Sequence, residues 1–431
     1  MSYVNAVAGT SSLKLLATFM LSLTLLGCVA PSPGASTPAP ITGAKKSEVA
    51  VQNAAPVVLT VPPTPPPILP IDQALRTATK TLFENVPSVL GDRLPLVVDP
   101  LIDGNSWIQS TATKSMEKQV LKTVSERYPR FQALPFTSSS LARGPFVFIG
   151  TFTPLDKAGK NLGPTDWYRI CLALLDIRSG KIVSKGFARA SADAVDHKPL
   201  PFFQDSPGWA KDKASSGYVS TCQGTKVGDP INADYWDKLA VAAVINDAIS
   251  AYHENRMEDA LDLHRAALRM PGGHQLRVYN GLYLTNRRLN KGRESAEAFG
   301  DLVDFGLSQQ QLGVKFLFQP GSALFVNNVE VRRDYNMWLT QISGRVAKGK
   351  ACLQIGGHTS RSGAEPLNER LSLQRATQIK QRMVGQNKAL ERQLTSIGFG
   401  STKAIVGSGS DDIKDAVDRR VEFAVEDCKN L

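Results

Sequence analysis

From residue 94 onwards the chain alternates short apolar runs with longer amphipathic ones, and the two periods separate strands from helices. Leu94-Pro95-Leu96-Val97-Val98 reads as a buried strand, and Asp99-Pro100-Leu101-Ile102-Asp103-Gly104 as the turn after it. Thr111 to Tyr128 then carries Met116, Val120, Leu121 and Val124 at helical spacing. Three further strands follow at Phe146 to Phe152, Trp167 to Ile177 and Lys181 to Ala190, the last two joined by a hairpin at Arg178-Ser179-Gly180. Between Ser191 and about Gly228 the pattern breaks. Pro, Asp, Lys and Ser dominate there, which predicts a long irregular segment of the kind that contacts partners. Leu239 to Leu307 turns helical, and the last quarter mixes both periods. The fold class expected from this layout is mixed α/β (α+β).

The N-terminal end follows a different logic. Leu15 to Leu26 is an apolar run of twelve residues behind Lys14, too short for a permanent membrane span. It ends in Leu25-Leu26-Gly27-Cys28, which resembles a bacterial lipobox. That resemblance implies cleavage before Cys28, acylation of its thiol and amine, and three acyl chains as a stable anchor. Val29 follows the cysteine where an Asp would favour inner-membrane retention, so the resemblance implies the outer membrane. An ordinary cleavable signal with an incidental cysteine is the competing reading. Val29 to about Ile71 is rich in Pro, Ala, Ser, Thr and Val and lacks aromatics, a composition expected to stay disordered and act as a tether. Fully stretched, such a Pro-rich tether reaches about 130 Å.

Composition narrows the classes without choosing a function. Of the 431 residues, 42% are hydrophobic and 21% charged, which is globular material for several domains. The formal charge of +11 suits anionic partners such as peptidoglycan, phospholipid headgroups or lipopolysaccharide. It is spread too thinly for nucleic acid, because no basic block or aromatic-interleaved basic stripe occurs. Apart from Cys28, the cysteines are Cys171, Cys222, Cys352 and Cys428, an even number for an oxidising compartment. Three pairings are possible. Cys171 with Cys222 and Cys352 with Cys428 are favoured, since each block then holds its own bridge, and each would contribute at most about 4 kcal/mol. A metal site competes, without Cys-x-x-Cys or Cys/His spacing to support it.

The densest chemistry lies at Gly357-His358-Thr359-Ser360-Arg361-Ser362-Gly363, followed by Asn368-Glu369-Arg370-Leu371-Ser372-Leu373-Gln374-Arg375-Ala376. A polar glycine-containing loop feeding a helix that carries Arg375 on about its second turn can offer backbone N–H groups, a helix dipole and a guanidinium to one carboxylate. This order resembles the OmpA-like peptidoglycan-associating domain, whose pattern runs G-H-T-D-x-x-G and then N-x-x-L-S-x-x-R-A. Phe316-Leu317-Phe318 and Ala323-Leu324-Phe325 look like the family's first strand and its exit. Gly398-Phe399-Gly400 and Asp418-Arg419-Arg420-Val421-Glu422-Phe423 continue the likeness, which covers about 115 residues, enough for one folding unit. The resemblance implies a βαβαββ fold, with Arg375 taking the carboxylate of diaminopimelate and Thr359, Ser360, Asn368 and Leu371 completing the peptidoglycan-stem site.

Ser360 departs from the pattern, because the family has an Asp there that takes the ligand's ammonium. Charged hydrogen bonds contribute about 1.5–3 kcal/mol and neutral ones about 1, so the exchange is expected to cost tenfold or more in affinity. Glu365 is a candidate to compensate from the start of the helix. Loss or change of the ligand with retention of the fold is the alternative.

Two weaker likenesses complete the chain. Val98-Asp99-Pro100-Leu101-Ile102-Asp103-Gly104 with Gln109 and Thr111 resembles the small periplasmic α/β domains of curli-secretion and flagellar outer-membrane lipoproteins. Ala248, Ala251-Tyr252, Asn255-Arg256, Ala260-Leu261, Ala267-Leu268 and Pro271 resemble a tetratricopeptide unit, with a second at Gly281, Tyr283, Gly292-Arg293, Ala296 and Phe299. Such helices would serve as a spacer or as a concave surface for a peptide. The expected organisation is 1–27 signal, 28–71 linker, 72–235 α/β domain, 236–311 helical connector and 312–431 OmpA-like domain.

Nothing in the sequence argues for catalysis or for a cofactor. Asp99 and Asp103 read as turn residues and helix caps rather than an acid/base pair. His253 and His264 read as surface residues on helices, and His358 as a brace for the loop backbone. No G-x-S-x-G elbow or Gly-Lys-Ser/Thr phosphate loop occurs. The expectation is therefore a lipid-anchored outer-membrane protein on the periplasmic face that binds peptidoglycan without enzymatic activity. The alternative is an envelope assembly protein whose middle regions recruit a protein partner while the last domain only localises it, and a surface adhesin remains a third possibility.

Overall fold

A computed structural model describes residues 65–161, 165–193, 195–210, 212–319, 321–349, 351–406 and 418–428. The signal segment, Cys28 and nearly all of the Pro-rich stretch lie outside them. Thr64 to Leu431 forms one compact unit. No helix among the described residues is long and apolar enough to cross a membrane.

The first part is built from β1 (Ile68–Leu69), α1 (Ile71–Glu84), β2 (Leu94–Val98), β3 (Ile102–Asp103), α2 (Thr111–Arg127), β4 (Phe131–Leu134), α3 (Ser138–Leu141), β5 (Phe146–Leu155), β6 (Trp167–Asp176) and β7 (Lys181–Ser191). They form one mixed sheet ordered β1-β7-β6-β5-β2-β4, with β3 also pairing with β5. Every residue of β5 is buried, because both sheet faces are covered. The period of two then assigns Phe146, Phe148 and Phe152 to a core with α1 and α2, and Val147 and Ile149 to a second core on the other face. Helix α2 starts with a capping box, in which Ser110 and Thr113 exchange backbone-to-side-chain bonds.

Residues 191–228 are more regular than their composition predicts. They hold α4 (Pro201–Asp205), β8 (Gly208–Trp209) and α5 (Lys213–Gln223), the last capped by Asp212, whose carboxylate accepts from Ser215 N–H at 2.8 Å. Helix α4 and strand β8 are too short to show a period. Helix α5 lies on the second face of the sheet, where Cys222 bridges to Cys171 of β6 with a Cα separation of 6.1 Å.

Then come α6 (Ala233–Trp236), α7 (Leu239–His253), α8 (Met257–Arg269), α9 (Leu276–Arg288) and α10 (Gly292–Ser308). The turns after α7 and after α9 use the same device, an asparagine in the left-handed region, Asn255 at φ 59° and Asn290 at φ 57°. His264 on α8 is fully buried, contrary to the surface position expected for it. The reason is Gly281 on α9, where an added Cβ would stand 2.1 Å from the imidazole Nε2, so only glycine leaves room for the ring.

The C-terminal part comprises β9 (Gln311–Val314), α11 (Val329–Gly349), β10 (Cys352–Gly357), α12 (Glu365–Gln386), β11 (Leu394–Gly398) and β12 (Val421–Glu426), which is the βαβαββ order. The first strand is thus Gln311–Val314, not Phe316-Leu317-Phe318; of that segment only Phe318 forms an isolated bridge, to Phe325. The sheet runs β11-β10-β12-β9-β8, so Gly208–Trp209 from the middle of the chain extends a sheet otherwise made after residue 310. Cys352 and Cys428 are bridged at a Cα separation of 5.2 Å, fastening the end of the chain beside the start of β10.

Candidate functional site

The site begins where β10 runs out. Gly357 is its last residue, and an added Cβ there would lie 2.0 Å from the backbone oxygen of Ser372 on α12. The strand therefore touches the helix backbone, one turn before Arg375. Beyond it the loop is fixed by its backbone. His358 N–H donates to Arg420 O at 3.1 Å, and Thr359 N–H to Gly400 O at 2.9 Å. Gly400 N–H in turn donates to the Ser372 hydroxyl at 2.9 Å. Loop, helix and the exit of β11 are thus stitched together by polar contacts.

The residues singled out from the sequence fall around this junction. Thr359, Ser360, Asn368 and Arg375 are all buried, and Leu371 is half-buried. Ser360 and Ser362 hydroxyls are 3.1 Å apart, and Asn368 Nδ2 donates to Ser362 O at 3.1 Å, closing the loop onto the helix. Arg375 sits on the third turn of α12 rather than the second, because the helix starts at Glu365. Its Nε donates to Ser322 O at 3.2 Å, and its guanidinium lies 4.8 Å from the centre of the Phe318 ring. Such a planar cation, held by one edge and one face, keeps a fixed direction at little entropic cost.

Glu365, the candidate to compensate for Ser360, is engaged with Ser401. Its Oε1 accepts from Ser401 N–H at 2.9 Å and its Oε2 from the Ser401 hydroxyl, tying the start of α12 to the loop after β11. His358 is a brace: its ring is buried, stacks on Phe399 at 5.1 Å, and brings Nε2 within 3.3 Å of Glu422 Oε2. Burial pulls its imidazole down to about 4. Glu422 is also buried, yet His358 and the Arg420 guanidinium, whose Nε donates to it at 2.7 Å, hold the carboxyl well below the usual range. Asp418 accepts from Ile405 and Val406 N–H at 2.6 and 2.9 Å.

Sequence reasoning gave Phe318 the place of a strand and did not include Ser322 at all. The available signal was the aromatic pair Phe318 and Phe325 around Gly321-Ser322, which marks a turn with a ring on each side. Asp99 and Asp103 part company. Asp103 is a turn residue, accepting from Asn105 and Ser106 N–H at 2.9 and 2.7 Å. Asp99 caps nothing; it is buried and accepts from the Tyr235 hydroxyl at 2.8 Å. Among the described residues no group of three or more His, Cys, Asp and Glu could hold a metal.

Comparison with known proteins points to the same stretch of the chain. A model of the OmpA family matches residues 318–417. Outer membrane porin F of Pseudomonas fluorescens is 34% identical over 74 residues, 17% of this chain and 22% of that protein, so the match spans about a fifth of its length. Among solved structures, an outer membrane protein of Borrelia burgdorferi is 24% identical over 27% of this chain and 88% of its own, with a TM-score of 0.22. The peptidoglycan-associated lipoprotein of Burkholderia pseudomallei is 21% identical over 26% and 89%, also at 0.22. The cell wall anchor of the T6SS of Pseudomonas aeruginosa is 21% identical over 27% and 79%, at 0.22.

Proposed function

With an OmpA-family domain at residues 318–417 as the premise, we propose that this chain is an outer-membrane lipoprotein that binds peptidoglycan non-covalently and so tethers two envelope layers. Cys28 carries the lipid, and the Pro-rich stretch gives the folded part its reach. Arg375 takes a carboxylate of the peptide stem, with Thr359, Ser360, Asn368 and Leu371 shaping the loop beside it. Attachment at two points gives high effective concentration at modest site affinity. The observation that supports this reading is the buried Arg375, aimed by Phe318 and Ser322 beside a loop locked by backbone bonds.

Co-sedimentation of the full chain with purified sacculi tests it. Arg375→Ala should lose tenfold or more in affinity, the loss of a charge-assisted pair. An unchanged pull-down with a folded variant sinks the assigned site. Ser360→Asp should strengthen binding, and absence of a gain would mean that the site reads a ligand without an ammonium at that position.

A further inference from the structure

A second feature is a cavity whose lining includes none of the loop residues. This cavity, of about 300 Å³, opens where α4, α7, α9, α11 and the residues after β9 meet. That is the lower end of the range in which small ligands are bound.

Tyr252, Tyr283, Tyr335 and Trp338 give its wall an aromatic part, and its carboxylates are paired. Tyr283 hydroxyl accepts from Trp338 Nε1 at 3.0 Å, and Tyr335 hydroxyl accepts from Leu317 N–H at 2.8 Å. Each hydroxyl is thereby oriented as an acceptor and keeps its own O–H to donate. Arg287 pairs with Asp334 at 2.6 Å, and Asp205 takes Arg288 at 3.0 Å and the Tyr252 hydroxyl at 2.6 Å. Each carboxylate of the lining thus has its arginine.

Lys315 is the exception. Its ammonium donates to the carbonyls of Phe203 and Gln204 at 3.0 and 3.1 Å, which occupies two of its three hydrogens. No carboxylate among the described residues is in ion-pair contact with it. The lining thus holds three cations against two anions, and the one carboxylate that acts on Lys315 through space, Asp205, is shared with Arg288, so the cavity keeps a net positive charge. A cationic guest would meet that charge, and a neutral one would leave it uncompensated.

We propose that this cavity binds a small monoanion, a carboxylate on a flat apolar body, with Lys315 as its counter-ion and the Tyr283, Tyr335 and Trp338 side chains around its body. Burial lowers the Lys315 ammonium to about 8, a penalty that an anion alongside would reduce. Residues 204–207, the paired helices and the C-terminal part all line the cavity, so an occupant would bridge them.

The test uses the full chain and a matched pair of probes, 2-naphthoate and its neutral analogue 2-naphthamide, titrated by saturation-transfer NMR. Naphthoate should bind about tenfold more tightly than the amide, the margin of one charge-assisted contact. Lys315→Met should erase that preference while leaving the amide unaffected. Val331→Trp, which puts a bulky ring at a lining position that is neither Lys315 nor one of its carbonyl partners, should abolish binding of both in a variant whose melting curve shows that it is folded. Absence of naphthoate binding, equal binding of the two probes, or a preference that survives Lys315→Met overturns the proposal. Should Lys315→Met fail to fold, naphthoate binding retained by Val331→Trp overturns it equally.

Discussion

One absent methyl group explains why the loop motif starts as it does. At Gly357 a Cβ would stand 2.0 Å from Ser372 O, a backbone atom in the middle of α12 that cannot step aside. Gly357→Ala should therefore push the strand off the helix, with a loss of about 1–3 kcal/mol from overpacking, visible as an earlier urea midpoint. Sacculus binding should fall with it, because Ser372 also holds Gly400, and Gly400 holds Thr359. An unchanged midpoint would show that strand and helix have slack here. The motif was legible as a chain of residue types, and Arg375 is a buried residue of the helix that follows the loop. What the sequence could not give was Arg375's partners: Phe318 and Ser322 lie more than fifty residues upstream and enter only through the fold.

Elements with a full period were readable, and elements without one were not. Helix α2 and strands β5 to β7 lie close to where apolar spacing puts them, because each is long enough to bury a face. Strand β8 has two residues and therefore no pattern, yet it pairs with β9 and places Trp209 against the C-terminal part. Trp209 is buried, its Nε1 donates to Ser106 O at 3.0 Å, and the Arg420 guanidinium lies 5.6 Å from its ring. Truncating such a side chain costs about 3–5 kcal/mol in a core. Trp209→Ala should accordingly lower the stability of the C-terminal sheet, followed by hydrogen exchange of β9 and β12 amides. Faster exchange confined to residues before 200 would argue against the strand's role. The same pairing predicts that a fragment starting at 312 has an unprotected edge, so wall-binding assays belong on the full chain.

At the scale of the whole molecule, buried ionisable groups set opposing responses to acid. Burial lowers His264 to about 3 and His358 to about 4 from 6.5, so the unfolded chain takes up protons first and acid below pH 6.5 removes stability. Burial raises Asp99 and Asp103 from 3.8 to about 6 against the pull of Arg277 and Tyr235 on the first and of Ser106 and Asn105 on the second. These carboxyls take up protons first in the folded state, so between pH 6 and 4 they add stability on acidification. Asp99→Asn removes one such gain. The variant should lose about 2 kcal/mol more than the parent between pH 7 and 4.5, by the linkage of a two-unit shift, and urea midpoints at the two pH values check it. A parallel response would mean that Asp99 does not titrate in that window. The sequence by itself determined what depends on neighbours along the chain: the periods of the long helices and strands and the loop-helix motif with its Arg375, while the βαβαββ order was implied by the OmpA-like resemblance. The cysteine pairing was favoured from the sequence and is the one found, whereas which histidine is buried, where β9 finds its second partner and which lysine lines an aromatic cavity were decided only by tertiary structure. Those outcomes rest on contacts between residues far apart in sequence, and no local spacing encodes them.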